Sequence, residues 1–461
     1  MSSKAKPALS DAGTIDISGR HLFRLSLPVM ISFLAQNLIG IVDTAFIGRL
    51  GEVELGGTAM SSLVYFCIYT IGFGLASGSQ ILIGHRYGAE RKREIGHILG
   101  QSTFLLMGIG LIVSVVSWPF GKWLFGTLLT SDNVSEAAVE YWNWRTIGFA
   151  FAFGSSAFRS FFVGTADTKV LTYTSVVMSV VNIFLDYALI FGHFGFPEMG
   201  LKGAAIASVA AEVSAWLFYL LYMRAKISFE EYGITFGAFF GWDNRLVRQL
   251  FGLSIYLMLQ AFLSQSVWTI FFFFIESLGE RELAIAAIIR SIYILLFIPI
   301  NSYGTAVRST VSHIFGAKEM SRLLTYLWRG VRISLGTVLL IVLMVNLFPE
   351  PILRIFSDDA ALIEAAVPSL RVVTAALTVC SVGGIFFASV GSTGATKTVF
   401  MIELASIIFY LSYAAVMVYL FSAPVWLCFT VEIFYYLFVA ALSLRFVYRE
   451  GWKKLTITVT E

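Results

Sequence analysis

Apolar windows about 20 residues long, separated by charged residues or by Gly and Pro, recur along the whole chain. A segment of about 20 apolar residues is long enough to cross a bilayer as a helix. Such windows begin near residues 25, 58, 94, 142, 170, 202, 249, 283, 326, 368, 398 and 423. The pattern predicts an all-α integral membrane protein with twelve transmembrane helices.

The charge of the loops alternates along the chain. Basic residues cluster after every second predicted span, at 86–93, 159–169, 224–248, 308–322, 397 and 445–454, whereas the opposite loops carry mostly acids. Cytoplasmic loops of membrane proteins are enriched in Lys and Arg. We therefore expect a multi-pass protein of the plasma (inner) membrane with both termini in the cytoplasm.

The two halves of the chain repeat each other. The segment FIGRLGEVEL at 46–55 matches FIESLGEREL at 274–283, 228 residues further on. The same offset relates 25–26 to 253–254, 88–89 to 316–317, 136–139 to 364–367 and 168–169 to 396–397. One constant offset indicates an internal repeat. Six spans in each half predict two six-helix lobes related by a pseudo-two-fold axis along the membrane normal.

The predicted domains follow from this repeat. They are a cytoplasmic N-terminal tail (1–24), an N-lobe (25–225), a cytoplasmic inter-lobe linker (226–248), a C-lobe (249–446) and a cytoplasmic C-terminal tail (447–461).

Composition narrows the class of function. Hydrophobic residues make up 57% of the chain and charged residues 13%, against about 25% charged in soluble proteins. The formal net charge of +3 is too small to suggest nucleic acid. The sequence contains no HExxH motif and no metal-ligand spacing of His or Cys. We expect neither an enzyme nor a cofactor, and no continuous polar stripe indicates a channel.

Asp43 lies deep in the first apolar segment. An aspartate near the centre of a membrane helix costs roughly 2.5 to 3.5 kcal/mol on insertion scales. Gln36 is seven residues earlier and therefore on the same helix face. Two interpretations follow: Asp43 binds a coupling cation, or the polar pair is satisfied by a neighbouring helix.

The fifth span carries a second polar pair. Asn182 and Asp186 are four residues apart, which places them on one helix face. Asp43 lies about 18 residues into its span and Asp186 about 16, so both carboxyls reach roughly 24 to 27 Å from the cytoplasmic start. Two acids at one level in a low dielectric require a shared proton or a bound cation. This predicts coupling to H⁺ or Na⁺, between which the sequence does not choose.

Other charged residues within the spans have open roles. Glu212 and Glu432 lie near the midplane, where they bind cationic substrate, carry protons, or pack protonated against a neighbour. Arg290 either pairs with Glu276 or contacts an anionic substrate. Glu403 lies close to the start of its helix, so we expect it to snorkel.

Taken together, these motifs resemble the multidrug and toxic compound extrusion (MATE) transporters, and within them the DinF-like branch. The resemblance covers nearly the whole chain. It rests on Leu-Ser-Leu-Pro at 25–28, Val-Asp-Thr at 42–44, the Leu-Gly-Glu loops, Arg159 with Gly164, Asp167 and Thr168, and Asn182 with Asp186. It implies a monomeric, V-shaped two-lobe bundle in the lipid bilayer that exports amphipathic, often cationic, small molecules by antiport with protons or sodium.

The resemblance also implies site residues. The family's N-lobe cation site carries over onto Asp43, Asn182 and Asp186, with Gln36 lining the same cavity. A threonine of the sixth span in other members corresponds to a position near Ser208. No metal other than Na⁺ is expected at this site.

Pro28 matches a proline about which the first helix of family members is thought to bend. The alternative for Pro28 is a proline in the first helical turn, where it costs little.

The C-lobe departs from the NorM-like branch of this family. That branch carries acids in spans seven and ten, whereas the seventh span here offers Gln260 and Gln265 and the tenth has no acid between 372 and 390. A C-lobe cation site of that kind is therefore not expected, and Gln260 is instead a candidate for the substrate cavity. The alternative function is a lipid-linked precursor flippase of the same superfamily, which would favour a basic cleft.

Overall fold

The computed structural model describes residues 15–454. Among them, twelve helices are long and apolar enough to cross a membrane. They are α1 (Gly19–Ile47), α2 (Glu52–Gly88), α3 (Lys92–Leu128), α4 (Asp132–Gly164), α5 (Lys169–Phe191), α6 (Gly200–Lys226), α7 (Asn244–Glu276), α8 (Glu280–Gly316), α9 (Met320–Leu347), α10 (Ala360–Ser392), α11 (Thr396–Leu420) and α12 (Val425–Tyr448). The predicted all-helical membrane fold is confirmed.

Some of these spans are not uniform α-helix. The first residues of α3 and α9 form 3₁₀ turns, Lys92–Glu94 and Met320–Arg322. A third 3₁₀ turn, Thr146–Gly148, lies inside α4. The end of α11, Val416–Leu420, is a π-helical turn.

Two spans begin well before the apolar windows that predicted them. The windows begin near 142 and 368, whereas α4 begins at Asp132 and α10 at Ala360. Side chains cap both helices: the Ser131 hydroxyl accepts a hydrogen bond from the Val134 amide at 3.4 Å, and the Asp359 carboxylate accepts one from the Ala361 amide at 2.9 Å. The first turns are helical but polar, so hydropathy alone does not find them.

The backbone repeats at the same offset as the sequence. Left-handed or similarly unusual positive φ angles recur in pairs of residues 228 positions apart. The pairs are Gly51 (155°) with Gly279 (134°), Glu90 (59°) with Lys318 (60°), and Ala166 (62°) with Gly394 (90°). The first pair precedes α2 and α8, where only glycine adopts such angles without strain. The internal repeat therefore extends to the turns between the spans.

The described chain forms two compact units. One unit is Ile31–Met258, and the other contains the described residues up to Met30 together with those from Leu259 onward. Both divisions fall inside a helix, α1 and α7, a few residues after the lobe starts predicted at 25 and 249.

In the unit Ile31–Met258, aromatic side chains fill a core between α2, α3 and α4. Tyr65 stacks on Phe149 with ring centroids 4.1 Å apart, and Trp142 contacts Phe149 edge-on at 6.2 Å. The Trp142 indole donates a hydrogen bond to the Ser117 carbonyl at 2.7 Å, which satisfies its buried N–H. This packing holds α4 against its neighbours.

The predicted inter-lobe linker lies against α3. The Gly96 amide donates to the Tyr232 carbonyl at 2.8 Å, and Lys92 pairs with Glu231 at 2.9 Å. A short helix, Phe236–Phe240, follows, and the His97 imidazole bonds with the Ala238 carbonyl at 2.9 Å. The linker is thus part of the unit Ile31–Met258.

The other unit has one large core between α7, α8, α10, α11 and α12. Phe271 of α7 is fully buried and packs edge-on against Tyr410 of α11, with centroids 5.7 Å apart. Phe271 and Tyr410 occupy the positions that Asp43 and Asn182 hold in the first half. The polar pair Asp43 and Asn182 is thus replaced by aromatic packing at the equivalent positions, and Asp186 corresponds to Ala414.

Candidate cation and ligand sites

Two carboxyls meet in the unit Ile31–Met258. Asp43 of α1 faces Asp186 and Asn182 of α5. Asn182 and Asp186 are each 1% exposed. Asp43 Oδ1, both Asp186 oxygens and both polar atoms of the Asn182 amide are buried without a hydrogen-bond partner among the described residues. Buried polar atoms in folded proteins are normally partnered. A proton or a cation at this place would supply the missing partner.

The donor set suits a hard cation. Two carboxylates and an amide carbonyl offer oxygen ligands only, the type that binds sodium and other hard ions. Within residues 15–454 no group of three or more His, Cys, Asp or Glu side chains converges on a metal position. The oxygen donors of this site therefore fit H⁺ or Na⁺.

Tyr141, which is not among the predicted site residues, lies beside this cluster. Tyr141 of α4 is 4% exposed and lies near Asp43, while its hydroxyl is close to the side chains of Ser208 and Ser62. Ser208 therefore lies beside a tyrosine that is near Asp43. The spacing between α4 and α1 gave no sign of this, because contacts between distant helices leave no periodic signal in the sequence.

Gln36 bonds to a serine of its own helix. Its side chain is exposed, and its amide donates to the Ser32 hydroxyl at 3.2 Å. Ser32 in turn bonds with the Ser175 hydroxyl at 2.5 Å. Gln36 thus belongs to a polar contact between α1 and α5, and its place in the cation cavity stays a prediction.

Glu212 is neutralised by a buried arginine. The Arg145 guanidinium donates to Glu212 Oε1 at 2.6 Å, with side-chain exposures of 13% and 8%. The Tyr65 hydroxyl donates to the same oxygen at 2.9 Å, and the Arg145 guanidinium lies 3.7 Å from the centre of the Tyr65 ring. Arg145 also acts electrostatically on Asp43. Glu212 is therefore one half of an ion pair with Arg145.

A cavity of about 320 Å³ lies in the other unit. Residues of α7, α8, α10, α11 and α12 line it, among them Gln260 and Glu432. Its volume is in the range of small-molecule pockets. The candidates Gln260 and Glu432 are thus brought to one cavity.

Glu403 lines this cavity as well, and the expectation that it snorkels is wrong. Glu403 is 1% exposed, and its Oε1 accepts hydrogen bonds from the Ser264 hydroxyl and, at 2.9 Å, from the Tyr435 hydroxyl. Glu403 is close to the start of α11, but it lies on the helix face that is turned to the cavity, so its side chain points inward and not to the membrane surface. Glu432 is also 1% exposed and accepts a hydrogen bond from Tyr410 at 2.8 Å.

Arg290 does not form the ion pair with Glu276 that was one expectation. Within residues 15–454 its charge is not paired, and its guanidinium lies over the Phe272 ring, 5.1 Å from the centroid. Such an arrangement is a cation–π contact.

Pro28 lies inside α1, which begins nine residues earlier at Gly19. The alternative of a first-turn proline is therefore wrong. A proline in the helix interior cannot donate to the carbonyl four residues before it, which favours a bend there.

Outside the spans, Asp167 lies in the turn between α4 and α5. The Tyr222 hydroxyl donates to its carboxylate at 3.5 Å. Burial raises the pKa of Asp167, and the charge of Lys169 and the Tyr222 hydrogen bond only partly offset this.

Comparison with known proteins identifies the family. The family model described as MatE matches residues 28–188 and 257–416, one match in each half. The chain belongs to the MATE family. It is a multi-pass membrane protein of the multidrug efflux class and not an enzyme.

Named relatives agree with this assignment. The probable multidrug resistance protein YoeA of Bacillus subtilis is 25% identical to this MATE protein over 362 residues, 78% of each chain. The multidrug resistance protein PmpM of Pseudomonas aeruginosa is 25% identical and aligns over 79% of this chain and 76% of its own. These relatives do not single out the DinF-like branch, which stays a prediction.

Solved structures share the fold. A MOP superfamily transporter from Pyrococcus furiosus, reported with a binding pocket of reverse polarity, superposes with a TM-score of 0.84 at 21% identity and covers 95% of this chain and 97% of its own. A point mutant of the Vibrio cholerae MATE transporter VcmN gives a TM-score of 0.83 at 18% identity and covers 95% of this chain and 98% of its own. At these identities the likeness supports the fold alone.

Proposed function

We propose that this MATE protein exports amphipathic, often cationic, compounds by antiport with H⁺ or Na⁺, and that the coupling ion binds at Asp43, Asn182 and Asp186. The observation that carries the proposal is the acid pair Asp43 and Asp186, three of whose four carboxyl oxygens are buried without a hydrogen-bond partner among the described residues. Two such carboxyls resist simultaneous ionisation, so the pair takes up a proton or a cation readily. Occupancy of the pair then differs between the two sides of an ion gradient.

Ion and substrate are coupled through this pair in the proposal. A cationic substrate is attracted while the carboxylates are charged, and neutralisation by the incoming ion removes that attraction. The ion and the substrate thus compete for the charged carboxylates of the N-terminal site, and such competition is what antiport requires. Pro28 supplies a point at which α1, the helix that carries Asp43, bends when the ion binds.

The proposal includes a setting and partners. The protein works as a monomer in the plasma membrane with both termini in the cytoplasm, its partners are small amphipathic molecules and the lipid bilayer, and it needs no cofactor. The clustering of basic residues in alternate loops supports this orientation.

The test is efflux from proteoliposomes with a proton gradient or a sodium gradient imposed separately. Wild type is compared with Asp43→Asn and Asp186→Asn, and with Asp132→Asn as a control, since Asp132 is an exposed aspartate at the start of α4. We expect one gradient to drive efflux, at least a tenfold loss in both site variants, and no loss in the control.

Efflux that ignores both gradients, or that survives both site substitutions, contradicts the proposal. Transport of a lipid-linked precursor without either gradient would favour the flippase alternative.

A further inference from the structure

The linker between α6 and α7 is fastened to the opening turns of α3. The Tyr232 carbonyl accepts a hydrogen bond from the Gly96 amide at 2.8 Å. Further along both segments, the Gln101 side chain donates to the Gly241 carbonyl and accepts a hydrogen bond from the Asp243 amide at 3.4 Å. Because α3 and α7 are membrane-spanning helices, the linker is held at their ends, where the apolar interior of a bilayer gives way to the headgroups.

An exposed apolar stripe runs along α3 from the linker into the span. Phe104, Leu111, Val115 and Trp118 are exposed and follow one another at spacings of seven, four and three residues, which places them on one side of the helix. Gly108 occupies the remaining position, so no polar side chain interrupts the stripe. An uninterrupted apolar stripe on the surface of a spanning helix faces the acyl chains of lipids.

Trp242 of the linker lies at the end of this stripe. Its ring packs edge-on against Phe104 with centroids 5.7 Å apart, and the residue is 53% exposed. Its indole N–H donates to the Asn244 side chain at 2.7 Å. Tryptophan is enriched at the boundary between headgroups and acyl chains, because its ring is apolar and its N–H is polar. The position of Trp242 therefore indicates the level of the headgroups beside α3.

Two arginines of α7 lie beside this tryptophan. Arg248 is four residues after Asn244, the contact of Trp242, and is therefore on the same helix face, with Arg245 one turn before it. Both arginines are exposed, and within residues 15–454 neither forms an ion pair. The neighbouring carboxylate of Asp243 accepts hydrogen bonds from two backbone amides of the first turn of α7. The two guanidinium groups thus present positive charge at the level of the headgroups.

The second half of the repeat does not contain this arrangement. The positions equivalent to Phe104 and Arg245 hold Arg332 and Ile17, 228 residues away in each case. An arginine therefore replaces the ring at the end of the stripe, and one of the two arginines is replaced by an apolar residue. We expect one such surface per chain.

We propose that an anionic phospholipid binds to the surface formed by Phe104, Leu111, Trp242, Arg245 and Arg248. Its phosphate lies at the two arginines, its glycerol region at the tryptophan and one acyl chain along the stripe of α3. A zwitterionic lipid offers the same chains without net negative charge, and basic residues at the membrane surface attract anionic lipids. This lipid site requires no ion gradient and does not depend on the function proposed above.

Native mass spectrometry of the purified full-length protein, released from detergent, counts the lipids bound to each chain. The probes are dioleoyl phosphatidylglycerol and dioleoyl phosphatidylcholine, titrated separately. We expect one phosphatidylglycerol per chain, bound at least about tenfold more tightly than phosphatidylcholine. The double variant Arg245→Gln with Arg248→Gln should lose this preference. Trp242→Ala, which keeps both charges, should weaken the binding of both lipids.

The matched control is the double variant Arg20→Gln with Arg24→Gln. Arg20 and Arg24 are also exposed arginines in the opening turns of a spanning helix, and Arg20 is the repeat equivalent of Arg248. Asp16 is close enough to Arg24 to interact with it electrostatically. The control removes the same charge as the test variant, and its binding of phosphatidylglycerol should stay within twofold of wild type.

Several outcomes would overturn the proposal. Equal binding of the two lipids to wild type, or wild-type binding in the Arg245 and Arg248 double variant, would show that the arginines do not hold an anionic headgroup. An equal loss in the control would reduce the effect to general attraction between anionic lipid and basic helix ends. Displacement of the lipid by inorganic phosphate alone would assign the arginines to a soluble anion. A lipid-free dimer would assign the stripe of α3 to a second copy of the chain. Loss of antiport in the efflux assay, in contrast, leaves the count of bound lipids unaffected.

Discussion

Replacing Arg145 with methionine would leave the Glu212 carboxylate buried without its counter-charge. The side chains of the pair are 13% and 8% exposed, and their atoms approach to 2.6 Å. Breaking a buried ion pair by removing one partner costs about 3 to 5 kcal/mol, because the remaining charge is left uncompensated. Methionine keeps much of the apolar stem of arginine, so most of the cost in Arg145→Met is electrostatic.

A double-mutant cycle separates this effect from simple loss of packing. In Arg145→Met with Glu212→Gln, no charge remains, and the glutamine carbonyl still accepts the Tyr65 hydrogen bond that is 2.9 Å long in wild type. We expect the double variant to recover most of the stability, to within about 1 to 2 kcal/mol of wild type, since neutral replacement of a buried pair is often nearly neutral. Tyr65→Phe removes one hydrogen bond to a charged group and should cost about 1.5 to 3 kcal/mol.

The assay is thermal unfolding of the four purified proteins in one detergent, with monodispersity checked by size-exclusion chromatography. The expected order of stability is wild type, then the double variant, then either single charge variant. If the double variant loses as much as the two single losses added together, Arg145 and Glu212 do not stabilise each other and the electrostatic account is refuted.

Two further predictions concern packing and pH. A Cβ on Gly57 would lie 2.7 Å from the Ala137 Cβ, so Gly57→Ala should destabilise the protein by about 1 to 3 kcal/mol. The control is Gly56→Ala, whose new Cβ would have its nearest contact at 3.6 Å and should not destabilise the protein. Equal thermal stabilities of the two variants would contradict the close helix contact at Gly57. Because the pKa of Asp167 is raised on folding, its ionisation opposes folding increasingly as pH rises above the usual carboxyl range. Asp167→Asn should therefore unfold at a higher temperature than wild type at pH 7 but not at pH 4, and a gain that is equal at both pH values, or matched by Asp132→Asn, would argue against this.

The spans and the repeat could be predicted from the sequence because each depends on local hydropathy or on direct comparison of residues. The start of α4 could not, since Asp132 to Val139 is helical through the Ser131 cap and through packing and not through apolar character. The approach of Asp43 to Asp186 followed from equal depth in the membrane. The depth of a residue in the membrane follows from its position along its helix and the rise per residue, so it can be calculated before any contact between helices is known.

Partners across the bundle were mostly missed. Tyr141, and the pairing of Arg145 with Glu212, depend on how the faces of distant helices meet. The sequence did carry one signal for Glu403. In the internal repeat, Glu403 corresponds to Ser175 and Ser264 corresponds to Gln36. Ser175 and Gln36 take part in a polar contact between α5 and α1. Comparing polar residues across the repeat, as well as identical ones, would have indicated a polar contact between α7 and α11.

The compact units divide α1 after Met30 and α7 after Met258, positions that correspond to each other in the repeat. Each half of the chain therefore contains a segment at or just before the start of its first helix that packs with the other half. Ser254 of α7 donates to the Leu75 carbonyl at 3.2 Å, and Arg329 donates to the carbonyl of Ile17, which precedes α1, at 3.2 Å. A half-molecule made alone would lack one such piece of its own packing. Two fragments cut in the linker between α6 and α7 would each carry a piece that packs in the other, as in a reciprocal exchange of arms between protomers.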